Sequence, residues 1–432
     1  MMENTVQLIP CLALLVVMAH TASLGGSGSN PEHFSVFLDL GSTGTKLKLY
    51  RWREPEQRGV LPTVRLVQST KFKPGISTLG GGRDELVEYL RPILDLAKQT
   101  VPEAERAKTP IFAMATAGFR YLSEEVSGHV MSEIQSVLSD PLVSPFLYQA
   151  DDLQILSGEE EGVYAWLALN YLLGFFDSHR PSNQSHGIME MGGSSTQIAF
   201  VPTDPIYAGE FQISLLGHTY QLYVHSYLDF GLTALQRRLA ALLDSAGTQD
   251  NPCLLQGDTK EYQQDDDHTV TNQGTGDAAA CRRLLSQLLH PDSGLPCQPK
   301  PCAIGSQYQP RVDGVPFYAT QGFVYTPSDL QAIDPEGDLD LDSLEHTGEQ
   351  YCAKTLTEAV GEGMNPKFAS AGCLESQYIP LLISSAYRFP ADSHIKATSK
   401  IDGERIDWAL GAVLMQLSRR SEFQSCVERQ RR

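Results

Sequence analysis

Two stretches of the chain repeat one pattern of apolar and polar positions. Residues 36–50 read VFLDLGSTGTKLKLY, and residues 187–201 read GIMEMGGSSTQIAFV. In each, an apolar strand carries an acid near its end, Asp39 or Glu190, and leads through small residues into a second alternating strand. Alternation with a period of two predicts strands, and the small polar residues predict a tight turn. Two such units one domain length apart predict two related halves.

The segments around these units alternate between helical and strand patterns. Helical periodicity predicts helices over 84–99 (interrupted by Pro92), 123–138 and 159–173, and short apolar runs predict strands over 110–116 and 153–156. Residues 248–276 are polar and predict a solvated loop, whereas 407–417 predicts an apolar helix that packs back on the N-terminal half. This alternation favours an α/β fold with mixed sheets.

Composition limits the possible partners. The 432 residues carry 33 Lys and Arg against 52 Asp and Glu, which gives a formal charge of −19. Such acidity argues against nucleic acid, because nucleic-acid binders normally present a basic surface. It also argues against electrostatic attachment to an anionic membrane. If the ligand is an anion, its site has to be locally positive within a negative protein.

The N-terminus predicts entry into the secretory pathway. Residues 6–22 form an uncharged apolar run followed by small residues, which is typical of a signal peptide over residues 1–24. We therefore expect a protein that is secreted or resides in the lumen of the secretory pathway, with no membrane insertion after cleavage. A type II membrane protein with an uncleaved signal anchor is the alternative, because the first four residues lack Lys and Arg. Asn183 begins a glycosylation sequon.

Cysteine usage indicates the same oxidising compartment. Cys11 lies in the predicted signal peptide, and the other seven cysteines all lie in the second half of the chain. Cysteines clustered in this way are typical of disulfides in secreted proteins. Free buried thiols are the alternative, and a zinc site is disfavoured because Cys297 and Cys302 have no second pair at finger spacing.

Both turns have the composition of phosphate-binding loops. Glycines let the backbone approach an anion, the hydroxyls of Ser42, Thr43 and Thr45 add donors, and an acid at the strand end can hold a hydrated divalent cation. One such turn is equally typical of an ordinary hairpin, but two facing turns can clamp a polyphosphate. Arg120 is a candidate phosphate partner, with an ion pair as the alternative. The segment 71–77, with Lys71 and Lys73, is a further candidate source of positive charge, with a plain surface loop as the alternative.

Three consecutive acids, residues 159–161, open the predicted helix 159–173. Acids in the first turn of a helix commonly do no more than complement its dipole. This helix start, however, directly follows a predicted strand at the boundary between the two halves. A carboxylate at that boundary is well placed to act as a general base for water that attacks a terminal phosphorus.

Eight motifs occur in the order in which one enzyme family carries them. They are DLGSTGTK (39–46), ATAGFR (115–120), SGEEEGVYAW (157–166), MGGSSTQIAF (191–200), HSYLDFGL (225–232), NPCLLQG (251–257), CAIGSQYQP with FYA (302–319) and DWALG (407–411). The chain resembles the ecto-nucleoside triphosphate diphosphohydrolases, or apyrases, of the actin/hexokinase superfamily. The resemblance implies two RNase-H-like domains with mixed sheets and a cleft between them. We place the N-terminal domain at residues 34–157 plus about 402–420, and the C-terminal domain at 158–401.

The resemblance also implies the reaction. A nucleoside tri- or diphosphate is hydrolysed to the monophosphate and phosphate by in-line attack of water, with Ca²⁺ or Mg²⁺ as cofactor. Glu161 is the implied base, and Ser195 and Gln197 are implied to position the water. The implied phosphate-binding residues are Gly41, Ser42, Thr43, Gly44, Thr45, Thr116, Arg120, Gly192, Gly193 and Ser194.

The remaining implied residues hold the metal and the base of the nucleotide. Asp39 and Glu190 are the implied metal ligands. Tyr378 and Tyr325 are the candidates for stacking on the base, and Trp166 is expected to line the cleft. The family pattern further implies the disulfides Cys253–Cys281, Cys297–Cys302 and Cys352–Cys373, with Cys426 left unpaired.

Two other functions stay open at this point. One is an exopolyphosphatase of the same superfamily. An assay that compares phosphate release from ATP and from polyphosphate distinguishes it from an apyrase. The other is a secreted nucleotide-binding protein without catalysis. A calcium-binding loop is disfavoured: Asp338, Asp340 and Asp342 have EF-hand spacing, but Ser343 stands where the turn needs Gly. We expect a helix N-terminus there instead.

Glu190 departs from the family pattern, which usually has Asp at this position. The longer side chain keeps the charge but moves the carboxylate by about one methylene, and Mg²⁺ demands stricter octahedral geometry than Ca²⁺. We therefore predict that Glu190→Asp changes the ratio of Ca²⁺- to Mg²⁺-supported phosphate release while activity persists. An unchanged ratio in the two metals would contradict this interpretation.

Overall fold

The computed structural model describes residues 31–57, 59–80, 82–178, 180–264, 268–290 and 296–430. The predicted signal peptide lies outside the described residues. The strands are β1 (Glu32–Gly41), β2 (Gly44–Arg53), β3 (Thr63–Phe72), β4 (Ile111–Ala115), β5 (Leu153–Ile155), β6 (Gly187–Met191), β7 (Ser195–Phe200), β8 (Glu210–Leu215), β9 (His218–Leu228), β10 (Asp250–Asn251), β11 (Thr259–Gln263), β12 (Thr269–Gly274), β13 (Phe317–Gln321), β14 (Ile395–Ala397), β15 (Lys400–Ile401) and β16 (Glu404–Arg405). The helices are α1 (Arg83–Thr100), α2 (Glu103–Arg106), α3 (Ala117–Arg120), α4 (Glu124–Leu138), α5 (Gly158–Leu172), α6 (Leu232–Ser245), α7 (Ala278–Leu289), α8 (Tyr325–Asp329), α9 (Leu341–Cys352), α10 (Leu356–Gly361), α11 (Pro366–Ala369), α12 (Gly372–Pro380) and α13 (Trp408–Gln430).

Two mixed sheets share one strand plan, which confirms the predicted α/β fold with related halves. The first has the order β3-β2-β1-β4-β5, and the second β8-β9-β7-β6-β13-β14. In the first sheet β1 pairs antiparallel with β2 and parallel with β4. In the second, β6 pairs antiparallel with β7 and parallel with β13. The sequence repeat therefore corresponds to the first hairpin of each sheet.

Helices α5 and α13 pack against each other between the two sheets. Their apolar side chains form one buried cluster with Phe37 and Phe112 of the first sheet and with Ile188 and Val224 of the second. Helices α1 and α4 cover the outer face of the first sheet, and α6, α7 and α12 cover that of the second. The helix predicted over 407–417 thus packs on the N-terminal sheet as expected. In the described part of the chain, no helix is long and apolar enough to cross a bilayer.

The predicted local elements are largely confirmed. The three helices predicted in the first half are α1, α4 and α5, and the two short apolar runs are β4 and β5. Pro92 lies inside α1 and does not end it, because Leu90, Ile93 and Leu94 anchor the helix in the core on both sides of the proline. Asp340 caps α9 by accepting a hydrogen bond from the Ser343 N–H at 2.9 Å, so the EF-hand-like acids do begin a helix.

The prediction of a solvated loop over 248–276 is wrong. Strands β10, β12 and β11 form a small sheet within this segment. Tyr262 and Val270 of that sheet pack on Ala240 of α6, and buried Asn251 donates to the Asn272 side chain at 3.0 Å. A few apolar side chains and one paired amide are therefore enough to order a segment whose overall composition is polar.

Three disulfides form in the predicted pairing. They are Cys253–Cys281, Cys297–Cys302 and Cys352–Cys373, with Cα–Cα distances of 4.8, 5.9 and 4.8 Å. The first joins the segment just after β10 to α7 and the third joins α9 to α12, so both fasten helices on the outer face of the second sheet. Loop closure of this kind stabilises a fold mainly by restricting the unfolded chain.

One buried carboxyl gives the stability a predictable pH dependence. Burial raises the pKa of Glu375 to about 7, although the Thr326 hydroxyl donates to Oε2 at 2.5 Å. Because the folded pKa lies above the ordinary value, the folded state holds this proton more tightly than the unfolded chain. We expect the free energy of unfolding to fall by about 3 kcal/mol between pH 4.5 and 7.

Urea unfolding of wild type and Glu375→Gln across this pH range measures the effect. The amide cannot ionise, so the variant should lose this pH-dependent decrease. Glu349→Gln, at an exposed acid of α9, is the matched control and should keep it. Parallel curves for wild type and Glu375→Gln would contradict the prediction.

Candidate active site

The turns of the two hairpins face each other across the gap between the sheets. Ser42 lies between β1 and β2, Ser194 lies between β6 and β7, and their Oγ atoms are 3.4 Å apart. A second contact joins the same two sides, because the Tyr121 hydroxyl donates to Asp229 Oδ1 at 2.8 Å. Each sheet therefore presents its Gly/Ser/Thr turn to the other, as expected of a clamp.

The candidate phosphate-binding residues differ in accessibility. Thr43 and Gly193 are exposed, and Lys71 Nζ donates to Thr43 Oγ1 at 2.7 Å. The turn residues Gly41, Ser42 and Gly192 are partly buried, whereas Gly44 and Ser194 are buried. Thr116, at the start of α3, is also buried.

One of the candidate donors points away from the facing turns. Thr45 is fully buried on the face of β2 that packs into the core, and its hydroxyl has no hydrogen-bond partner. This burial does not favour the expectation that its hydroxyl binds phosphate. Lys73 is exposed just beyond β3, and Lys71 of the same segment donates to Thr43 of a turn.

Glu161 lies in the first turn of α5, and its side chain is 12% exposed. Its carboxylate accepts a hydrogen bond at 2.5 Å from Arg120, which comes from α3 of the other half. Burial raises the pKa of Glu161, and the Arg120 guanidinium opposes that rise. Arg120 therefore favours the ionised form of the carboxylate, against the effect of burial, and fixes it in one orientation. Only Nη2 of Arg120 makes this bond, and its buried Nε has no hydrogen-bond partner.

The absence of a side chain at Gly158 lets the start of α5 lie close to Ser226 and Arg120. A Cβ at this position would lie 2.1 Å from Ser226 Oγ and 2.6 Å from Arg120 Nη1. Ser157 caps the helix, with its hydroxyl accepting the Glu160 N–H at 3.0 Å and the Glu160 carboxylate accepting the Ser157 N–H at 2.8 Å. Of the three acids, Glu160 thus serves the cap, and Glu161 is turned inward.

Gln197 on β7 organises a short hydrogen-bonded row. Its Nε2 donates to Ser195 Oγ at 2.7 Å and to Ser226 Oγ, on neighbouring β9, at 3.1 Å. Because both bonds use the amide nitrogen, the orientation of the side chain is fixed and the carbonyl oxygen can accept from another donor. Ser195 and Gln197 are buried, so few competing waters reach them.

Asp39 and Lys46 are opposite each other on β1 and β2. Lys46 Nζ donates to Asp39 Oδ2 at 3.1 Å, and the Asp39 side chain is only 4% exposed. The nearby Asp39 carboxylate raises the pKa of Lys46, so the ammonium stays charged. The predicted metal ligand thus already has a cationic partner.

Glu190 on β6 is buried with one open oxygen. Gln321 Nε2 donates to its Oε1, but Oε2 is buried without a hydrogen-bond partner. Burial raises the pKa of Glu190 well above its usual value, and repulsion from Glu161 and Asp407 adds to the rise. A negative charge at this position therefore lacks sufficient compensation from the protein itself.

Lys48 and Asp407 form a second ion pair beneath the site. Lys48 is almost fully buried and donates to Asp407, which directly precedes α13. Burial alone would raise the pKa of Asp407, but the ammonium groups of Lys48 and Lys46 outweigh it and lower the pKa. This pair joins the first sheet to α13.

Comparison of the sequence with known protein families identifies the family of this chain. A family model described as GDA1/CD39 (nucleoside phosphatase) matches residues 27–429. The chain belongs to the GDA1/CD39 family. The match confirms the resemblance to the apyrases.

Curated relatives and one solved structure agree with this membership. The chain is 30% identical to ectonucleoside triphosphate diphosphohydrolase 3 of Mus musculus, over 88% of this chain and 77% of that protein. It is 26% identical to the Golgi apyrase of Saccharomyces cerevisiae, over 90% and 70%. The crystal structure of nucleoside triphosphate hydrolases from Neospora caninum shares the fold, with a TM-score of 0.68, 16% identity and coverage of 91% and 94%.

The acids of this GDA1/CD39 protein fit a hydrated divalent cation. Within the described ranges, no three His, Cys, Asp or Glu side chains converge in a way that could hold an ion by themselves. Asp39 and Glu190 offer two carboxylates, and Glu190 Oε2 is a buried acceptor that lacks a donor. Mg²⁺ characteristically binds one or two carboxylates and keeps waters and phosphates as its other ligands.

The expectation that Tyr378 stacks on a base is contradicted by its burial. Tyr378 is fully buried in α12, and its hydroxyl donates to the Phe230 carbonyl at 2.8 Å. A ring enclosed by core side chains has no free face for a nucleotide. Tyr325 is different: it begins α8, just beyond the end of β13, and is 61% exposed.

Trp166 does not line the space between the halves either. It lies on the buried face of α5, with its ring against Phe175, Phe176 and Tyr220. Four aromatic rings in mutual contact form part of the central core. The role of this motif position is therefore packing.

Tests on the two tyrosines should give opposite results. We predict that Tyr325→Ala raises KM for nucleotides about tenfold, because base stacking on an aromatic side chain contributes about 1–3 kcal/mol. Inorganic tripolyphosphate has no base, so its KM should not change. Tyr378→Phe should leave both KM values unchanged and lower the free energy of unfolding by about 1 kcal/mol through the lost hydrogen bond.

The sequence reasoning missed five side chains that complete the site. Lys46 and Lys48 fall two residues apart on β2, which was a visible sign of two cations on one face of the strand. Gln321 and Ser226 gave no such sign, because each acts only through a contact with a distant residue. Asp407 was part of the DWALG motif but carried no assigned role.

Proposed function

We propose that this protein hydrolyses nucleoside tri- and diphosphates to the monophosphate and orthophosphate, by metal-dependent in-line attack of water. The observation that carries the proposal is the position of the Glu161 carboxylate and of the Ser195–Gln197–Ser226 row at the two facing turns. Family membership supports the same chemistry, because relatives carry the names triphosphate diphosphohydrolase and apyrase.

In the proposed mechanism Glu161 is the general base. Its burial raises its basicity, and the bond from Arg120 fixes the carboxylate. The Ser195 hydroxyl and the Gln197 carbonyl orient the attacking water toward the terminal phosphorus. Glu161 removes one proton from the water as the new P–O bond forms, and the bridging oxygen leaves with the shortened nucleotide.

The two turns bind the phosphates from opposite sides. Backbone N–H groups of the glycine-rich turns and the hydroxyls of Ser42, Thr43 and Ser194 are the proposed donors. These local groups attract an anion although the chain carries a formal charge of −19.

Asp39 and Glu190 are the proposed holders of a hydrated Ca²⁺ or Mg²⁺. When bound, this ion supplies positive charge to the phosphate oxygens and offsets the charge that develops on them. Glu190 would contribute its buried Oε2, which has no hydrogen-bond donor. We propose Tyr325 as the base-stacking residue.

We further propose that the protein acts in the secretory pathway or outside the cell. Three disulfides require an oxidising compartment. One relative, which this chain matches over 70% of that protein's length, is named for the Golgi. Expression in mammalian cells, followed by protease protection and treatment with an N-glycosidase that detects a glycan at Asn183, tests this assignment.

Orthophosphate release from purified protein tests the reaction. ATP, ADP, UDP, GDP, GTP and polyphosphate are supplied in turn with Ca²⁺, with Mg²⁺ or with a chelator. Release from nucleotides that depends on the metal supports the proposal. Release from polyphosphate alone would instead indicate an exopolyphosphatase, and nucleotide binding without release would indicate a non-catalytic binding protein.

A further inference from the structure

Strand β2 carries a row of two cations toward the proposed metal site. Side chains two residues apart lie on one face of a strand, so Lys46, Lys48 and Tyr50 point the same way. Tyr50 is buried in the central cluster with α5 and α13, and Leu47 and Leu49 on the other face belong to the cluster under α1. Lys46 is the member of the row nearest the turn, and its side chain is 41% exposed.

Three ion pairs lie around the site. Arg120 pairs with Glu161, Lys48 with Asp407, and Lys46 with Asp39. Within the described residues Glu190 forms no ion pair, and only its Oε1 receives a hydrogen bond, from Gln321. The two proposed metal ligands are therefore not equivalent, because one is occupied by an ammonium group and the other keeps an open oxygen.

We infer that the Lys46 ammonium competes with a divalent cation for the Asp39 carboxylate, whereas Glu190 keeps an oxygen that no protein donor occupies. This inference deepens the proposed function and rests on its metal site. The ammonium is 3.1 Å from Asp39 Oδ2, a position from which it both blocks that oxygen and repels a second positive charge. Its partial exposure leaves room for the flexible side chain to turn away toward solvent.

The inference predicts that removing the ammonium tightens metal binding. In Lys46→Met the side chain keeps its approximate length but loses the charge, and we expect the dissociation constant for Mn²⁺ alone to fall about tenfold or more. Lys46→Arg keeps the charge and should keep the wild-type constant. Mn²⁺ is the probe because its free form is counted directly by electron paramagnetic resonance, without nucleotide and without turnover.

Lys98→Met is the matched control. Lys98 also pairs with an aspartate, Asp95, but on α1 away from the turns, so its loss should leave Mn²⁺ binding unchanged. A Lys46→Met protein that binds Mn²⁺ no more tightly than wild type overturns the inference, including the case in which neither protein binds it. Weaker nucleotide binding in chelator with unchanged Mn²⁺ binding also overturns it, because Lys46 would then be a phosphate ligand.

The titration separates this inference from the proposed function. Failure of the function would appear as absent metal-dependent phosphate release by the wild-type protein. Failure of the inference would appear only as an unchanged Mn²⁺ constant in Lys46→Met, which does not depend on any reaction.

Discussion

Glu161→Gln is expected to lower kcat by about 10³-fold while nucleotide binding and folding persist. The amide has the shape of the carboxylate and can still accept a hydrogen bond from Arg120, but it cannot take a proton from water. The loss should therefore appear in kcat with little change in KM. Steady-state phosphate release, together with equilibrium binding of a non-hydrolysable nucleotide analogue, measures both quantities.

Glu159→Gln is the control for this substitution. Glu159 lies in the same turn of α5, but its side chain is 38% exposed and its Oε1 lies 3.9 Å from His225 Nδ1. Both variants remove one negative charge from the start of the helix, so a general electrostatic effect would reduce their activity equally. Near-normal turnover by Glu161→Gln would reject Glu161 as the base.

Gly411→Ala is expected to destabilise the protein by about 3 kcal/mol or more. A Cβ at Gly411 of α13 would lie 1.9 Å from the carbonyl oxygen of Tyr164 in α5, which is far inside van der Waals contact with a backbone atom. The helices would have to separate, and overpacking of a well-packed core typically costs about 1–3 kcal/mol and sometimes more. Urea or thermal unfolding of the purified variant measures the loss.

The same separation should also reduce activity. Helix α5 carries Glu161, and α13 begins directly after Asp407, the partner of Lys48. Gly361→Ala, in α10, is the control, because nothing lies within 4 Å of the added Cβ and alanine favours a helix by about 1 kcal/mol over glycine. Equal stabilities of Gly411→Ala and wild type would show that α5 and α13 adjust without cost.

The sequence predicted the fold and the position of the turns because both depend on local periodicity. Alternation of apolar residues defined the two hairpins, and their duplication predicted two sheets of similar plan, which the strand orders confirm. Helix starts were equally readable: Ser157 and Ser123 both accept hydrogen bonds from the first turns of their helices. The motif order was sufficient to predict the family.

Burial of individual side chains was less predictable. Tyr378 and Tyr325 are both aromatic residues in motif-like surroundings, yet one is enclosed by the core and the other is 61% exposed. The difference depends on which face of α12 and of α8 meets the second sheet. That is a property of packing rather than of either local sequence.

The sequence by itself determined the two-sheet architecture, the Gly/Ser/Thr turns and the acids that accompany them. Only the tertiary structure decided which charges meet. Arg120 forms an ion pair with Glu161, and Lys48 forms one with Asp407. Glu190 Oε2 has no hydrogen-bond donor. These contacts depend on the packing of α5 and α13 between the two sheets. Lys48 and Asp407 are 359 positions apart in the chain, and no local pattern encodes a contact over that distance. A buried charge is costly unless packing brings a partner to it. The charge distribution of this site is therefore determined by the tertiary structure and not by any local segment.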